Sequence, residues 1–157
     1  MKYTSYNFRK GNLEYQKFRV RTPIRTFRDL DVYKDTTKLA ADIFGLKLPV
    51  SVKQLYTEFE LLYGLAKNVP RLIAESYGNK FDDFNLSQAK LEKASEIISG
   101  IIAKIDFLIV SCEESDLIAQ LADFLKKYQT HRRKMLNLKN AWRRVHLDYQ
   151  KRQSQNR

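Results

Sequence analysis

The chain repeats one pattern four times: apolar residues are separated alternately by three and four positions. The pattern runs through residues 30–44, 55–73, 91–112 and 117–149. Such spacing places the apolar side chains on one stripe of an α-helix. A period near 3.5 residues is typical of helices that pack at about 20° to one another. We therefore predict an all-α fold, an antiparallel up-down four-helix bundle.

Each predicted helix presents its own apolar stripe to the core. In chain order the stripes are Leu30, Tyr33, Thr37, Ala40 and Phe44; Leu55, Phe59, Leu62, Ala66, Val69 and Ile73; Leu91, Ala94, Ile98, Ile101, Ile105, Leu108 and Cys112; and Leu117, Leu121, Phe124, Tyr128, His131, Met135, Leu138, Trp142, Val145 and Tyr149. These residues are the predicted core.

Turn and capping residues divide the chain at the same places. Gly45 and Gly78 stand where the first and second helices should stop. Ser51, followed three positions later by Gln54, matches a capping box at the start of the second helix. Residues 111–116 separate the third helix from the fourth. Connections this short favour antiparallel neighbours.

Two features mark the second and fourth helices. Pro70 falls inside the second helix, and an interior proline removes a backbone hydrogen bond, so we expect a kink near residues 67–69. The fourth helix is expected from Asp116 to about Arg152, which is roughly 55 Å at 1.5 Å per residue. The fourth helix is therefore longer than the other three, so its last turns should project past the bundle or pack against another part of the protein or a partner.

Positive charge is concentrated at the two ends of the chain. The net charge is +11; residues 1–28 hold eight Lys and Arg against one acid, and residues 126–157 hold eleven against one. The middle, residues 29–125, carries ten basic and sixteen acidic residues. Because like charges repel, charge concentrated in this way usually has an external counter-charge.

We predict three regions: a basic N-terminal arm over 1–25, the bundle over 26–152 and a tail over 153–157. The arm reads either as a loose segment or as two short strands around a glycine turn. Cys112 is the single cysteine, which excludes an intramolecular disulfide and fits a reducing compartment. No run of about 18 apolar residues and no signal-peptide core is present, so we expect a cytoplasmic protein without a membrane partner.

Catalytic chemistry has little support in the sequence. The two histidines, His131 and His146, are not spaced as a metal pair, and His131 falls on the apolar stripe as a core histidine with its hydrogen bonds satisfied. Cys112 ends the third stripe and is interpreted as a buried residue that packs in the core and not as a nucleophile. No glycine-rich phosphate loop is present. We expect no enzyme, catalytic residue, metal, cofactor or small-molecule substrate.

The basic ends instead predict binding to nucleic acid. On the fourth helix Lys126, Arg133, Asn140 and Arg144 share one side, away from the apolar stripe. Cationic faces of this kind bind phosphates and release counterions without base contacts. The predicted contact residues are Lys126, Lys127, Arg132, Arg133, Lys134, Lys139, Arg143, Arg144, Lys151 and Arg152, with Arg9, Lys10, Arg19, Arg21 and Arg25 from the arm. A solvated helix face, a membrane surface and an acidic protein are the alternatives.

Two stretches resemble a known family. "FRDLDVYKDTTKLAADIF", residues 27–44, resembles the first helix of the bacterial four-helix-bundle proteins encoded in ribosomal-RNA intervening sequences. "VPRLIAESYG", residues 69–78, resembles that family's second-helix signature, with Ser76 where the family usually has glycine. The superfamily includes the accessory variability determinant proteins of diversity-generating retroelements. The basic ends make the chain more similar to those accessory proteins.

That resemblance implies a function that composition alone does not supply. The retroelement accessory proteins form rings of five subunits, bind nucleic acid and associate with a reverse transcriptase, supporting mutagenic cDNA synthesis without being polymerases. By resemblance we expect RNA or DNA, a reverse transcriptase and further copies of the chain as partners. The alternatives are an intervening-sequence bundle protein that binds RNA or ribosomes without a reverse transcriptase, and a structural oligomer whose basic ends hold subunits together.

Overall fold

A computed structural model describes residues 23–155 of the chain, and within that range the fold is all-helical. The four α-helices are α1 (Asp31–Phe44), α2 (Tyr56–Asn79), α3 (Phe84–Ser111) and α4 (Ser115–Gln155). Short 3₁₀ helices at Phe27–Asp29 and Val50–Leu55 precede α1 and α2. Of the arm predicted over residues 1–25, residues 1–22 lie outside the described residues, so the hairpin and the loose segment stay alternatives. The prediction of four helices and an all-α fold is confirmed.

The core stripes of α2 and α3 are confirmed throughout. Every predicted member from Leu55 to Ile73 and from Leu91 to Cys112 is buried. The two helices also carry short, partly buried ion pairs between them: Lys104 with Glu58 and Lys90 with Glu75, each at 2.5 Å. These pairs connect the half-buried edges of α2 and α3 beside their apolar stripes.

The stripe predicted for α1 is confirmed at Leu30 and Ala40, half-buried at Tyr33, and wrong at Thr37 and Phe44. The buried residues of α1 are Val32, Thr36, Leu39, Ala40 and Ile43, whereas Phe44 is 72% exposed and Thr37 is exposed. The observed stripe lies about 100° around the helix from the predicted one, a shift of one residue. Aliphatic side chains fill the core, and the buried Thr36 hydroxyl donates to the Val32 carbonyl at 2.6 Å.

The start of α2 also differs from prediction. Ser51 lies inside the preceding 3₁₀ helix and makes no capping bond; its hydroxyl donates instead to the Glu114 carboxylate, before α4. Gly45 caps the C-terminus of α1 as predicted, and α2 runs one residue beyond Gly78. The break between α3 and α4 falls within residues 111–116 as predicted.

Pro70 lies within α2 and is buried. The helix is continuous from Tyr56 to Asn79, so the proline does not break it. The side-chain amide of Asn68 donates to the Gly64 carbonyl at 2.9 Å, on the turn before the proline. The predicted kink stays a prediction.

The helix α4 passes beyond the core, as its length predicts. Its stripe is buried at Leu117, Leu121, Phe124, Tyr128, His131, Met135 and Trp142. Between Trp142 and Gln155 only His146 is half-buried, and Val145 and Tyr149 are 64% and 61% exposed. The helix continues to Gln155, three residues past the predicted boundary at Arg152.

Each helix packs against the next one in the chain, and α1 and α4 touch only sparsely. A groove of about 450 Å³ lies between α1 and α4, crossed by an ion pair of 3.2 Å between Lys134 and Asp35. Within residues 23–155 no helix is long and apolar enough to cross a membrane.

Candidate nucleic-acid interface

The outer strip of α4 is defined here as Lys126, Arg133, Asn140, Arg144 and Lys151. All five side chains are exposed, on the side of the helix opposite the buried stripe. Helical geometry sets this placement, because these positions fall within about 40° of one another at 100° per residue. Within residues 23–155 none of the four cations forms an ion pair. The strip therefore presents four full charges to solvent.

Three of the other predicted contact residues are already paired. Lys127 contacts Asp123 at 2.6 Å, Lys134 contacts Asp35 at 3.2 Å, and Lys139 contacts Glu92 at 3.1 Å. The hydrogen bond that the Lys127 ammonium donates to the Asp123 carboxylate raises the pKa of Lys127, so its charge is retained but locally balanced. These three lysines hold α4 to its neighbours or to itself and add less net field than the sequence suggests.

The remaining described candidates flank the outer strip. Arg132 and Arg143 lie on the flank that turns toward α3, and Arg152 lies on the opposite flank. All three are exposed and have no ion pair within the described part of the chain. Arg132 also lines a shallow groove with Lys139 between α3 and α4. Together with the outer strip they widen the cationic surface of α4.

One of the predicted contact residues in the arm lies within the described residues. Arg25 is exposed, and its backbone N–H donates to the Asp29 carboxylate at 2.9 Å, in the capping of the first 3₁₀ helix. That hydrogen bond and its neighbour from Thr26 lower the pKa of Asp29. Arg9, Lys10, Arg19 and Arg21 lie outside the described residues.

The residues considered for catalysis take part in packing. Cys112 is buried as predicted. The His146 ring stacks on Phe84, with 3.9 Å between ring centroids. No group of three or more potential metal ligands occurs within residues 23–155.

His131 is buried as predicted, but its hydrogen bonds are not all satisfied. Its Nδ1 has no hydrogen-bond partner among the described residues and lies 3.9 Å from a carboxylate oxygen of Asp35. Burial lowers the pKa of His131; Asp35 opposes that shift and Lys134 adds to it. The sequence pattern placed this residue on the core stripe correctly but did not supply the missing partner.

Sequence reasoning missed an aromatic cluster at the turn between α2 and α3. Tyr77, Phe81 and Trp142 surround the Lys80 ammonium, at 5.6, 5.0 and 4.9 Å from Nζ to the ring centroids. The stacked Phe84–His146 pair joins the same two segments, the turn and α4. The density of aromatic residues in "YGNKFDDF", residues 77–84, is the signal that could have identified the cluster.

Comparison with known proteins gives no match: no protein-family model, curated protein or solved structure resembles this chain closely enough to be identified with it.

Proposed function

We propose that this chain is a non-enzymatic, cytoplasmic protein that binds RNA or DNA through the outer strip of α4. The observation that carries the proposal is the row of four exposed cations within residues 126–151 that form no ion pair in the described part of the chain, in a stretch whose only acid is Asp148. Solvated helix faces usually mix charges of both signs. A row of one sign is complementary to a linear polyanion, whose phosphates it neutralises with release of counterions.

The location of the apolar stripe favours nucleic acid over a membrane surface. An interfacial helix inserts its apolar face into the bilayer. In α4 that face is buried against the bundle as far as Trp142, and the outer strip contains no apolar residue. The strip also extends along about 37 Å of helix, which suits an extended chain of phosphates better than a compact acidic patch.

The proposal includes the helix order and the biological role that the sequence predicts. An up-down, antiparallel bundle is supported by the α2–α3 ion pairs, in which Glu58 meets Lys104 and Glu75 meets Lys90. The resemblance of residues 27–44 and 69–78 supports a retroelement accessory role, with an oligomeric ring and a reverse transcriptase as partner. Co-purification with a reverse transcriptase would distinguish this role from that of an intervening-sequence protein.

The charge row is tested by the salt dependence of binding. On a single strand each neutralised phosphate contributes about 0.7 to the slope of log affinity against log salt. The double variant Arg133→Gln/Arg144→Gln should therefore lower that slope by about 1.4 for each subunit engaged, with no change in sequence preference. Circular dichroism should be unchanged, because both side chains are exposed.

The matched control is Lys47→Gln/Lys53→Gln. Both lysines are exposed and neither forms an ion pair within residues 23–155. This control removes the same amount of charge as the α4 double variant, but from the segment that precedes α2. Equal slopes for the two double variants would show that the α4 row is a solvated surface and would overturn the proposal.

A further inference from the structure

The turn between α2 and α3 carries an exposed aromatic ring beside a lysine that has no ion pair among the described residues. Phe81 is 80% exposed, and the Lys80 ammonium lies 5.0 Å from its ring centroid. Tyr77 and Trp142 pack edge to face behind the lysine, at 6.1 Å between centroids. The ammonium is therefore held at one end of the bundle by rings whose π faces attract it.

Lys80 lacks an anionic partner. Within residues 23–155 it forms no ion pair: the nearby Asp83 caps α3 by accepting from the Leu86 N–H, and the exposed Asp82 forms no ion pair with it. Partial burial lowers the pKa of Lys80. An anion placed beside the ammonium would offset this loss of hydration.

We propose that this turn is a nucleotide-binding site for single-stranded nucleic acid, in which an unpaired base stacks on Phe81 and its phosphate faces Lys80. The site rests on the proposed function and adds a strand preference to it. A nucleotide combines the two chemistries that the turn leaves open, a π face and an anionic group. A duplex keeps its bases stacked on one another, so only an unpaired strand can use the ring.

The position of Trp142 connects the turn to the cationic surface of α4. Trp142 contacts Lys80 from α4, and the exposed Arg143 and Arg144 follow it directly in the sequence. Trp142 itself lies on the buried stripe, on the side of α4 opposite the outer strip, so a strand that leaves the strip at Arg144 would reach the turn by crossing the flank that carries Arg143. The two features then act on one ligand, the strip through charge and the turn through stacking.

The test compares Phe81→Ala with Phe107→Ala in binding to a 12-nucleotide single-stranded uridine oligomer and to a duplex of equal length. Phe107 is the matched control: it is 51% exposed with Lys104 at 5.9 Å, but that lysine is already paired with Glu58. Loss of one base–aromatic stack should weaken single-strand binding by roughly five-fold or more. Duplex affinity and the salt slope should not change.

Two further variants sharpen the assignment. Phe81→Trp should bind the single strand about as tightly as wild type, because it keeps the aromatic ring that Phe81→Ala removes. Lys80→Gln should lower the single-strand salt slope by about 0.7, one phosphate contact. Photocrosslinking to a 5-iodouridine oligomer should label the peptide that contains Phe81 in the wild-type protein.

The outcomes separate the two proposals. If wild-type protein binds the oligomer but Phe81→Ala and Phe107→Ala lose affinity equally or not at all, the nucleotide site is overturned and the α4 interface stands. Equal losses for single strand and duplex would also overturn it. If Phe81→Ala forms a smaller protein assembly than wild type but binds the single strand with unchanged affinity, the turn is a contact between copies of the chain and the nucleotide site is overturned. If wild-type protein binds neither ligand, both proposals fail.

Discussion

At the scale of single residues, His131 links folding to pH. Its pKa is lowered from 6.5 in the folded protein by burial, so the unfolded chain binds the proton more readily. The stabilising effect of the neutral ring is complete above 6.5 and is lost as pH falls from there through the lowered pKa. The charged groups around it in the groove are Asp35, Lys38, Asp42, Asp123, Lys126, Lys127 and Lys134.

We predict that His131→Leu flattens the dependence of unfolding free energy on pH between 7.5 and 5. Leucine keeps the site apolar and removes the titrating group, while the remaining carboxylates titrate in both proteins. Urea unfolding at several pH values measures the difference. Identical pH profiles for wild type and variant would contradict a buried neutral histidine at this position.

Ser76 lies where α2 packs against α3. It is buried in α2, and its hydroxyl donates to the Ser87 carbonyl of α3 at 2.7 Å and lies 3.0 Å from the Ser87 hydroxyl. The serine therefore supplies a hydrogen bond between helices where glycine could supply none.

We predict that Ser76→Gly destabilises the protein by about 1–3 kcal/mol. The change leaves a buried hydroxyl without its partner and places a flexible residue inside a helix. Chemical denaturation measures the loss. Combining it with Ser87→Ala should recover part of the stability, because the orphaned hydroxyl is removed; a simple sum of the two losses would contradict the pairing.

At the scale of the helices, α2 combines a proline with an unbroken helix. Pro70→Ala restores one backbone hydrogen bond, a gain of about 1 kcal/mol, and removes buried ring atoms at about 0.8 kcal/mol per CH₂. We predict a net stability change within about 1.5 kcal/mol and an unchanged helical signal in circular dichroism. A loss above 3 kcal/mol would show that the ring fills a core position that alanine cannot replace.

The projecting end of α4 separates stability from binding. Every side chain from Leu147 to Gln155 is exposed, so removal of residues 148–157 should change the melting temperature little. The same truncation removes Lys151, Arg152 and Arg157, and we predict a fall of up to about 2 in the single-strand salt slope. Calorimetry measures the melting temperature, and a salt titration of binding measures the slope. A large fall in melting temperature would mean that the end packs on another part of the protein.

The sequence predicted α2 and α3 well because both stripes are long and mostly aliphatic, so one face clearly wins. In the 14-residue α1 two stripes overlap: the aliphatic one with Leu39 and Ile43 is buried, whereas on the other Tyr33 is half-buried and Phe44 is exposed. Periodicity also stops predicting burial after Trp142, since Val145 and Tyr149 continue the stripe beyond the neighbouring helices. Apolar periodicity identifies the apolar face of a single helix, whereas the burial of that face depends on which other helices pack against it.

The candidate site was predictable only in part. Exposure of the outer strip follows from its position opposite the stripe. Pairing does not follow, because the partners of Lys134 and Lys139 are Asp35 and Glu92, 99 and 47 residues earlier in the chain. The Lys80 cluster likewise joins a turn to a distant helix. Contacts of this range depend on tertiary packing.

At the scale of the whole molecule, large apolar side chains remain uncovered. Phe44, Val50, Phe81 and Val110 are each at least 72% exposed, in addition to the end of α4. Exposed apolar surface of this kind often marks a protein–protein contact.

We predict an oligomer, measured by light scattering after size exclusion at micromolar concentration. Apolar contacts should keep the mass constant as salt rises from 0.15 to 0.5 M, on the order of a three-fold change in ionic strength that weakens surface charge pairs. A monomer at both salt concentrations would contradict the prediction. A mass that falls with salt would assign the assembly to charge.

The length of the outer strip also sets a stoichiometry. Lys126 and Lys151 stand 25 residues apart, which is about 37 Å of helix. A stacked strand advances about 3.4 Å per nucleotide, so one strip accompanies on the order of 11 nucleotides. A strand of half that length would leave part of the row unoccupied, and one of twice the length would offer room for two. The number of protein subunits bound per strand at saturation therefore shows how many strips one strand follows at once.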